Sequence, residues 1–301
     1  CVIIDGELKA FAPAGITSYI IPNGVISIGK NAFYKYKNLE SITIPDSVTS
    51  IGKGAFASCK NLKKIILSNK VESIGKMAFY GCENLESVTI PNNVISIEYS
   101  AFGCCKNLKN MIIPDSVTSI GNGAFENCEN LEHIIIPDSI THINDETFAG
   151  CKRLKSITIP SSVISIGSRV FSGCDNLKEF KGDFASGDGR CLIINGELKA
   201  FAPAGLTSYT IPDNVISIGS SVFSGCDNLE SIFIPNNVTK IGDGAFSWCQ
   251  GLKNLTIPNS ITKIGDYAFY NCHHLKESII IPDSVIEIGE NLFEEEVYNP
   301  W

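Results

Sequence analysis

The sequence predicts an α/β solenoid: a coil of 23-residue repeats dominated by short strands, with short helical turns and two inserted β-hairpins. Three observations carry that expectation. Phenylalanines recur at 33, 56, 79, 102, 125, 148 and 171, resume at 223, 246 and 269, and close at 293. The same apolar pattern surrounds each of them. Two nearly identical segments, one from Cys1 and one from Cys191, are offset by 190 residues, and the second interrupts the period. No 23-residue unit buries its apolar face alone, so neighbouring turns have to stack into a continuous core.

The unit LESITIPDSVTSIGKGAFASCKNL, from Leu39, shows how each element follows from its residues. Ile42 and Ile44 alternate with Ser41 and Thr43, the period-two pattern of a strand with one buried face. Pro45 ends that strand, because proline has no N–H to continue a ladder. Val48 to Ile51 is a second short extended piece, closed by Gly52. Glycine recurs in that slot at 29, 75, 121, 167, 219, 242, 265 and 289, so the slot is expected to need a positive φ; Glu98 and Asn144 are its exceptions. Ala55 and Phe56 suit one or two helical turns, too short to stand without the stack. Cys59 completes the apolar set. Its slot holds Tyr36 in the first repeat and Glu296 in the last, within a Glu294-Glu295-Glu296 run, and both read as capping turns.

The two inserted segments begin CVIIDGELKAF and CLIINGELKAF. Asp5-Gly6 and Asn195-Gly196 lie between apolar runs, which is a strong local signal for a tight hairpin turn. Val2–Ile4 is expected to pair with Leu8–Phe11, and Leu192–Ile194 with Leu198–Phe201. The stretch FKGDFASGDGR before Cys191 is the most linker-like in the chain. The expectation is one solenoid over residues 1–301, with sub-blocks 1–185 (hairpin plus seven repeats) and 186–301 (hairpin plus four repeats).

Composition narrows the function classes. A net charge of −8 and a pI near 5.1 argue against a nucleic-acid binder, which would show a basic face. No stretch approaches the ~20 apolar residues of a membrane-spanning helix, so no membrane insertion is expected in this segment. H-E-x-x-H, G-x-S-x-G and a phosphate-binding glycine loop are all missing, so no catalytic residue, metal or cofactor is expected. Of twelve cysteines, nine share one slot: Cys59, Cys82, Cys105, Cys128, Cys151, Cys174, Cys226, Cys249 and Cys272. Stacked with parallel Cβ directions they suit neither a disulfide nor a zinc tetrahedron, and are expected to pack as small hydrophobes. His133, His142, His273 and His274 fall in slots that should not converge on one ligand.

Charges alternate between turns: Glu40, Lys63, Glu86, Lys109, Glu132 and Lys155 after Leu, and Glu83, Lys106, Glu129 and Lys152 after Cys. Opposite charges therefore meet from turn to turn, a pattern that selects the register of stacking. The outward slot of the first strand carries Ile112 and Ile135 on adjacent turns, beside Asn110 and His133, and later Phe233. Those five residues are the candidate binding positions. The competing reading is a β-branched face chosen for sheet propensity.

The unit L-x-x-I-x-I-P-x-x-V-x-x-I-G-x-x-A-F-x-x-C-x-x-L, carried here by Ile44-Pro45, Val48, Ile51-Gly52, Ala55-Phe56 and Cys59, resembles the BspA type of bacterial leucine-rich repeat. The resemblance covers essentially the whole chain. It implies a right-handed leucine-rich-repeat solenoid without catalytic residues, secreted or attached to a bacterial surface. It also implies adhesin-like recognition of a host or matrix protein or glycan by a monomer. The alternative is a spacer or stalk that presents another domain. No signal sequence or wall anchor is visible, so the chain is expected to be a trimmed piece of a longer protein.

Overall fold

The computed structural model describes residues 1–12, 15–275 and 279–293; the Glu294-Glu295-Glu296 run lies outside the described residues. The chain divides into two compact units, Cys1–Cys174 and Asp175–Trp301. Each is a β-solenoid whose turns advance by the 23-residue spacing, with paired strands in register from turn to turn.

In the first unit, Val2–Ile4 pairs antiparallel with Glu7–Ala10, and Leu8 then faces Ile28 in a parallel ladder. Ser27–Ile28, Ser50–Ile51, Ser73–Ile74, Ser96–Ile97 and Ser119–Ile120 continue it, giving a seven-stranded sheet. A second face holds Ser18–Ile20, Ser41–Thr43 and Lys64–Ile66 in one parallel sheet, and Asn110–Ile112 with His133–Ile135 in another. The second unit repeats this plan. Cys191–Ile194 and Glu197–Phe201 start a six-stranded sheet, while Ser208–Thr210, Ser231–Phe233 and Asn254–Thr256 form the other face. Both hairpin turns have positive φ at their two central residues, 50° and 77° at Asp5-Gly6 and 52° and 77° at Asn195-Gly196. That is the geometry for which such dipeptides are chosen.

The core is a stack of rings. From Phe33 to Phe171 successive phenylalanines lie 4.9–5.9 Å apart, nearly parallel, and from Phe223 to Phe293 5.0–5.7 Å. Stacking at this separation adds to the burial of the rings themselves. Phe11 tilts onto Phe33 at 4.6 Å and Phe201 onto Phe223 at 4.8 Å, so each hairpin supplies the first ring of its stack. Tyr36, which fills the Cys slot of the first repeat, packs edge-on against Phe11 at 5.1 Å.

All nine slot cysteines are buried and none is in a disulfide. In eight of them the thiol donates to the carbonyl of the phenylalanine one turn earlier, from Cys59 to Phe33 at 2.9 Å through Cys272 to Phe246 at 2.9 Å. The slot therefore favours a side chain that packs as a small hydrophobe while still offering a weak donor. Burial pushes the Cys59 thiol up to about 12 and holds Cys82, Cys105 and Cys151 well above the ordinary thiol range.

Two local expectations are corrected. The Ala-Phe segments are not helical, and no helix occurs among the described residues. Alternate amides there leave the turn: Gly54, Phe56 and Ser58 donate to the carbonyls of Lys76, Ala78 and Tyr80 in the next turn. Only Ala55, Ala57 and Cys59 bond locally, each to the residue three earlier. Left-handed backbone at Gly54 and Ser58, with φ of 62° and 60°, sets that alternation and forbids the i to i−4 ladder of a helix. The Gly52 slot, in turn, is not left-handed. A Cβ on Gly52 would stand 2.8 Å from the Ile28 carbonyl oxygen of the preceding turn, so close backbone approach selects glycine there.

The charge ladder is partly realised. Lys63 meets Glu40 at 3.0 Å, Lys60 meets Glu83 at 2.7 Å and Lys152 meets Glu129 at 3.3 Å. Glu86 and Lys109 meet only through the backbone, where the Lys109 amide donates to the Glu86 carbonyl.

Candidate binding surface

On the second face of the first unit, His133 sits opposite Asn110 and Ile135 opposite Ile112, in parallel register. Their partners Met111 and Ile134 point the other way and are buried. Period-two alternation thus projects Ile112 and Ile135 outward, 67% and 60% exposed, which is unusual for isoleucine on two successive turns.

A groove of about 720 Å³ opens beside them. Ile112 and Ile135 line it, with Asn110, Thr89, Asn92, Asp115 and Ser116 as its polar residues. Its origin is an interruption in the ladder. Ser87 makes an isolated bridge to Lys64, but Val88 to Ile90 form no strand between Lys64–Ile66 and Asn110–Ile112, and all three line the groove. An apolar floor with a few polar groups at its margin is the chemistry of a peptide or side-chain groove.

Of the five candidate residues, the structure gathers Asn110, Ile112 and Ile135 at this groove. His133 is exposed on the same strand pair but does not line it. Phe233 belongs to the second unit, where it lies 59% exposed in a shallow depression of about 400 Å³ with Tyr209, Thr210 and Thr256. His142 is on the other face, paired with Ser165 and hydrogen-bonded to Thr141 Oγ1 at 2.8 Å. No cluster of three or more His, Cys, Asp or Glu that could hold a metal occurs among the described residues. No helix of the described residues is long and apolar enough to cross a membrane.

One surface escaped the sequence reading. Trp248 and Tyr267 are exposed, and both take left-handed backbone, with φ of 62° and 56°. The Tyr270 ring meets Trp248 at 5.9 Å and Tyr267 at 5.7 Å, both edge-on. Positive φ is uncommon for bulky residues, and these two slots, which are left-handed in other turns too, hold Gly, Ser or Asn in most of them but Lys35, Cys104, Met77, Glu146 and Arg169 in others. Those slots were legible in the period, but their left-handedness was not.

The family described as BspA type Leucine rich repeat region matches residues 7–130, 76–184 and 197–298. A leucine-rich cell surface protein from Faecalibacterium prausnitzii is 29% identical, with a TM-score of 0.72 over 92% of this chain and 88% of that one. The pneumococcal vaccine antigen PcpA is 26% identical, with a TM-score of 0.70 over 94% and 70%. A leucine-rich repeat protein from Bacteroides ovatus is 27% identical, with a TM-score of 0.63 over 97% and 87%. No curated protein matches the chain.

Proposed function

Since the chain belongs to the BspA-type leucine-rich repeat family, whose solenoids are generally non-catalytic, we propose that it is a binding module at a bacterial surface. The groove beside Ile112 and Ile135 takes an apolar side chain of a protein partner, in the manner of an adhesin recognising host or matrix protein. The observation that carries this reading is the pair of outward isoleucines on successive turns at a gap in the ladder. Surface placement is supported by relatives named as a cell surface protein and a vaccine antigen.

The test is adhesion of the chain to a panel of extracellular-matrix proteins, compared with Ile112→Asp/Ile135→Asp. Both side chains are exposed, so the double variant should fold with an unchanged circular dichroism spectrum. Loss of at least about tenfold in affinity is expected, since burying an unpaired carboxylate in an apolar contact is strongly unfavourable. A panel that the parent chain ignores, or equal binding by the double variant, would overturn the reading. The Trp248–Tyr270 cluster favours a glycan instead, because exposed rings offer apolar faces to sugars. Binding to a glycan array that Trp248→Ala abolishes would establish that second reading.

A further inference from the structure

The two strands beside the groove carry opposite charges just before they start and like charges just after they end. Lys109 and Glu132 precede them, whereas Asp115 and Asp138 follow them in one slot on successive turns. Asp115 lines the groove, as does Pro137, the residue before Asp138, and both aspartates are exposed. Each projects from a four-residue turn, closed by the Val117 amide on the Pro114 carbonyl at 3.0 Å and by the Ile140 amide on the Pro137 carbonyl at 3.1 Å. The stacking of turns sets their backbones about 5 Å apart. Among the described residues neither carboxylate joins an ion pair or accepts a hydrogen bond, whereas Glu40, Glu83 and Glu129 each meet a lysine of an adjacent turn. Like charges on neighbouring rungs oppose the stack, so this pair favours a cation from outside it.

The groove also presents backbone groups outside the ladder. Lys64–Ile66 pairs fully with Ser41–Thr43 on one side and, on the other, only through the bridge from Lys64 to Ser87. Asn110–Ile112 pairs in its sheet with His133–Ile135 alone. Between these strands, neither the Thr89 nor the Ile90 amide donates to a backbone carbonyl among the described residues. The Asn92 and Asn110 side chains line the same space with their amide groups. Peptide groups of an extended chain, which have no partners of their own, satisfy donors and acceptors of this kind. Asp115 follows Ile112 by three residues, at most about 10 Å of chain.

We infer that the occupant of the groove is an extended, basic segment of the protein partner. An aliphatic side chain seats on Ile112 and Ile135, and two or three residues along, a lysine or arginine meets Asp115 and Asp138. The inference rests on the reading of the groove as a protein-binding site, and adds to it the charge and conformation of what binds. Charge complementarity of this kind sets register and rejects partners of the wrong sign, so an acidic segment with the same apolar residue is excluded.

The probe is a phage-displayed library of random dodecapeptides, selected on the full chain. Enriched peptides are expected to share an aliphatic residue with lysine or arginine two or three positions away, and to lack aspartate and glutamate. Two variants separate the charge from the groove. Asp115→Asn/Asp138→Asn keeps the turn, since Asn92 fills the same slot one turn earlier, and should weaken the best peptide about fivefold, the loss of two exposed ion pairs. That gap should shrink in 0.5 M salt, where exposed charges are screened. Ile112→Thr/Ile135→Thr keeps a β-branched residue found in that slot at Thr89 and Thr158, leaves the charge unchanged, and should reduce binding of the same peptide by at least as much. Circular dichroism checks that both variants fold. Neutral or acidic peptides that the threonine variant loses would overturn this inference while leaving the groove a protein site, as would basic peptides that the asparagine variant binds equally well. An absence of enriched peptides, or enriched peptides indifferent to the threonine variant, would overturn both.

Discussion

The hairpins from Cys1 and from Cys191 have nearly the same sequence, the same turn and the same ring contacts to the phenylalanine stack. Phe11 lies 4.4 Å from Tyr19, and Phe201 lies 4.8 Å from Tyr209. Their outer strands nevertheless occupy different environments, exposed in one and buried in the other. The difference resides in what borders each strand rather than in the strands. A hairpin that pairs inward with a parallel ladder keeps its inner strand in either setting, since Leu8 and Leu198 are both fully buried. Its outer strand depends on a neighbour.

Thiol reactivity offers the largest contrast between the copies. Cys1 is exposed, whereas Cys191 is buried and its thiol is pushed up to about 12 by that burial. Alkylation at mildly alkaline pH, followed by peptide mass spectrometry, should label Cys1 faster than Cys191 by on the order of 10³-fold, because Cys191 reacts only from an opened state. Comparable rates would mean that the second hairpin opens freely.

Packing comes next. Leu192→Ala should lower stability by about 2–4 kcal/mol, the range for a fully buried leucine, while Val2→Ala should change it by less than about 0.5 kcal/mol. Urea unfolding monitored by exchange within each unit would measure both. Similar values would erase the distinction.

The smallest contrast is polar. Tyr209→Phe should cost about 1 kcal/mol through its lost bond to Asp188, and Tyr19→Phe almost nothing, because a thiol is a weak acceptor. Burial pushes the Asp188 carboxyl up, but hydrogen bonds from Ser186, the Arg190 amide and Tyr209 outweigh it and hold it below its ordinary 3.8. A depressed folded value means that the contribution is full above the unfolded value and fades as pH falls through the folded one. Melting of the parent chain should therefore drop more steeply below about pH 4 than that of Asp188→Asn. Parallel curves would remove Asp188 from the account.

Much of the fold was legible because the same physical demand is repeated at every turn. Phe56, Cys59, Ile42 and Ile51 each recur in register, and their slots are buried in the interior turns as the pattern required, with Ile288 in the last turn 54% exposed. Asp5-Gly6 and Asn195-Gly196 announced the hairpins. The Ala-Phe segment was misread as helical because half of its amides bond to the following turn, a partner 22 residues away, as from Phe56 to Ala78. The role of Gly52 was misread for the same reason, since its constraint is a carbonyl of the preceding turn. At the candidate surface, alternation alone placed Ile112 and Ile135 outward. The groove beside them was hidden because Val88 to Ile90 fit the repeat pattern while leaving the ladder.

The sequence by itself determined the repeat, the buried slots, the hairpin turns and the family, because each rests on periodicity or on a local backbone preference. Tertiary structure alone decided where the ladder opens into a groove, and that Trp248 and Tyr267 converge on Tyr270. Those outcomes depend on distances between turns. A side chain's own residue type sets its preference for burial, but only the neighbouring turn decides whether that preference is met.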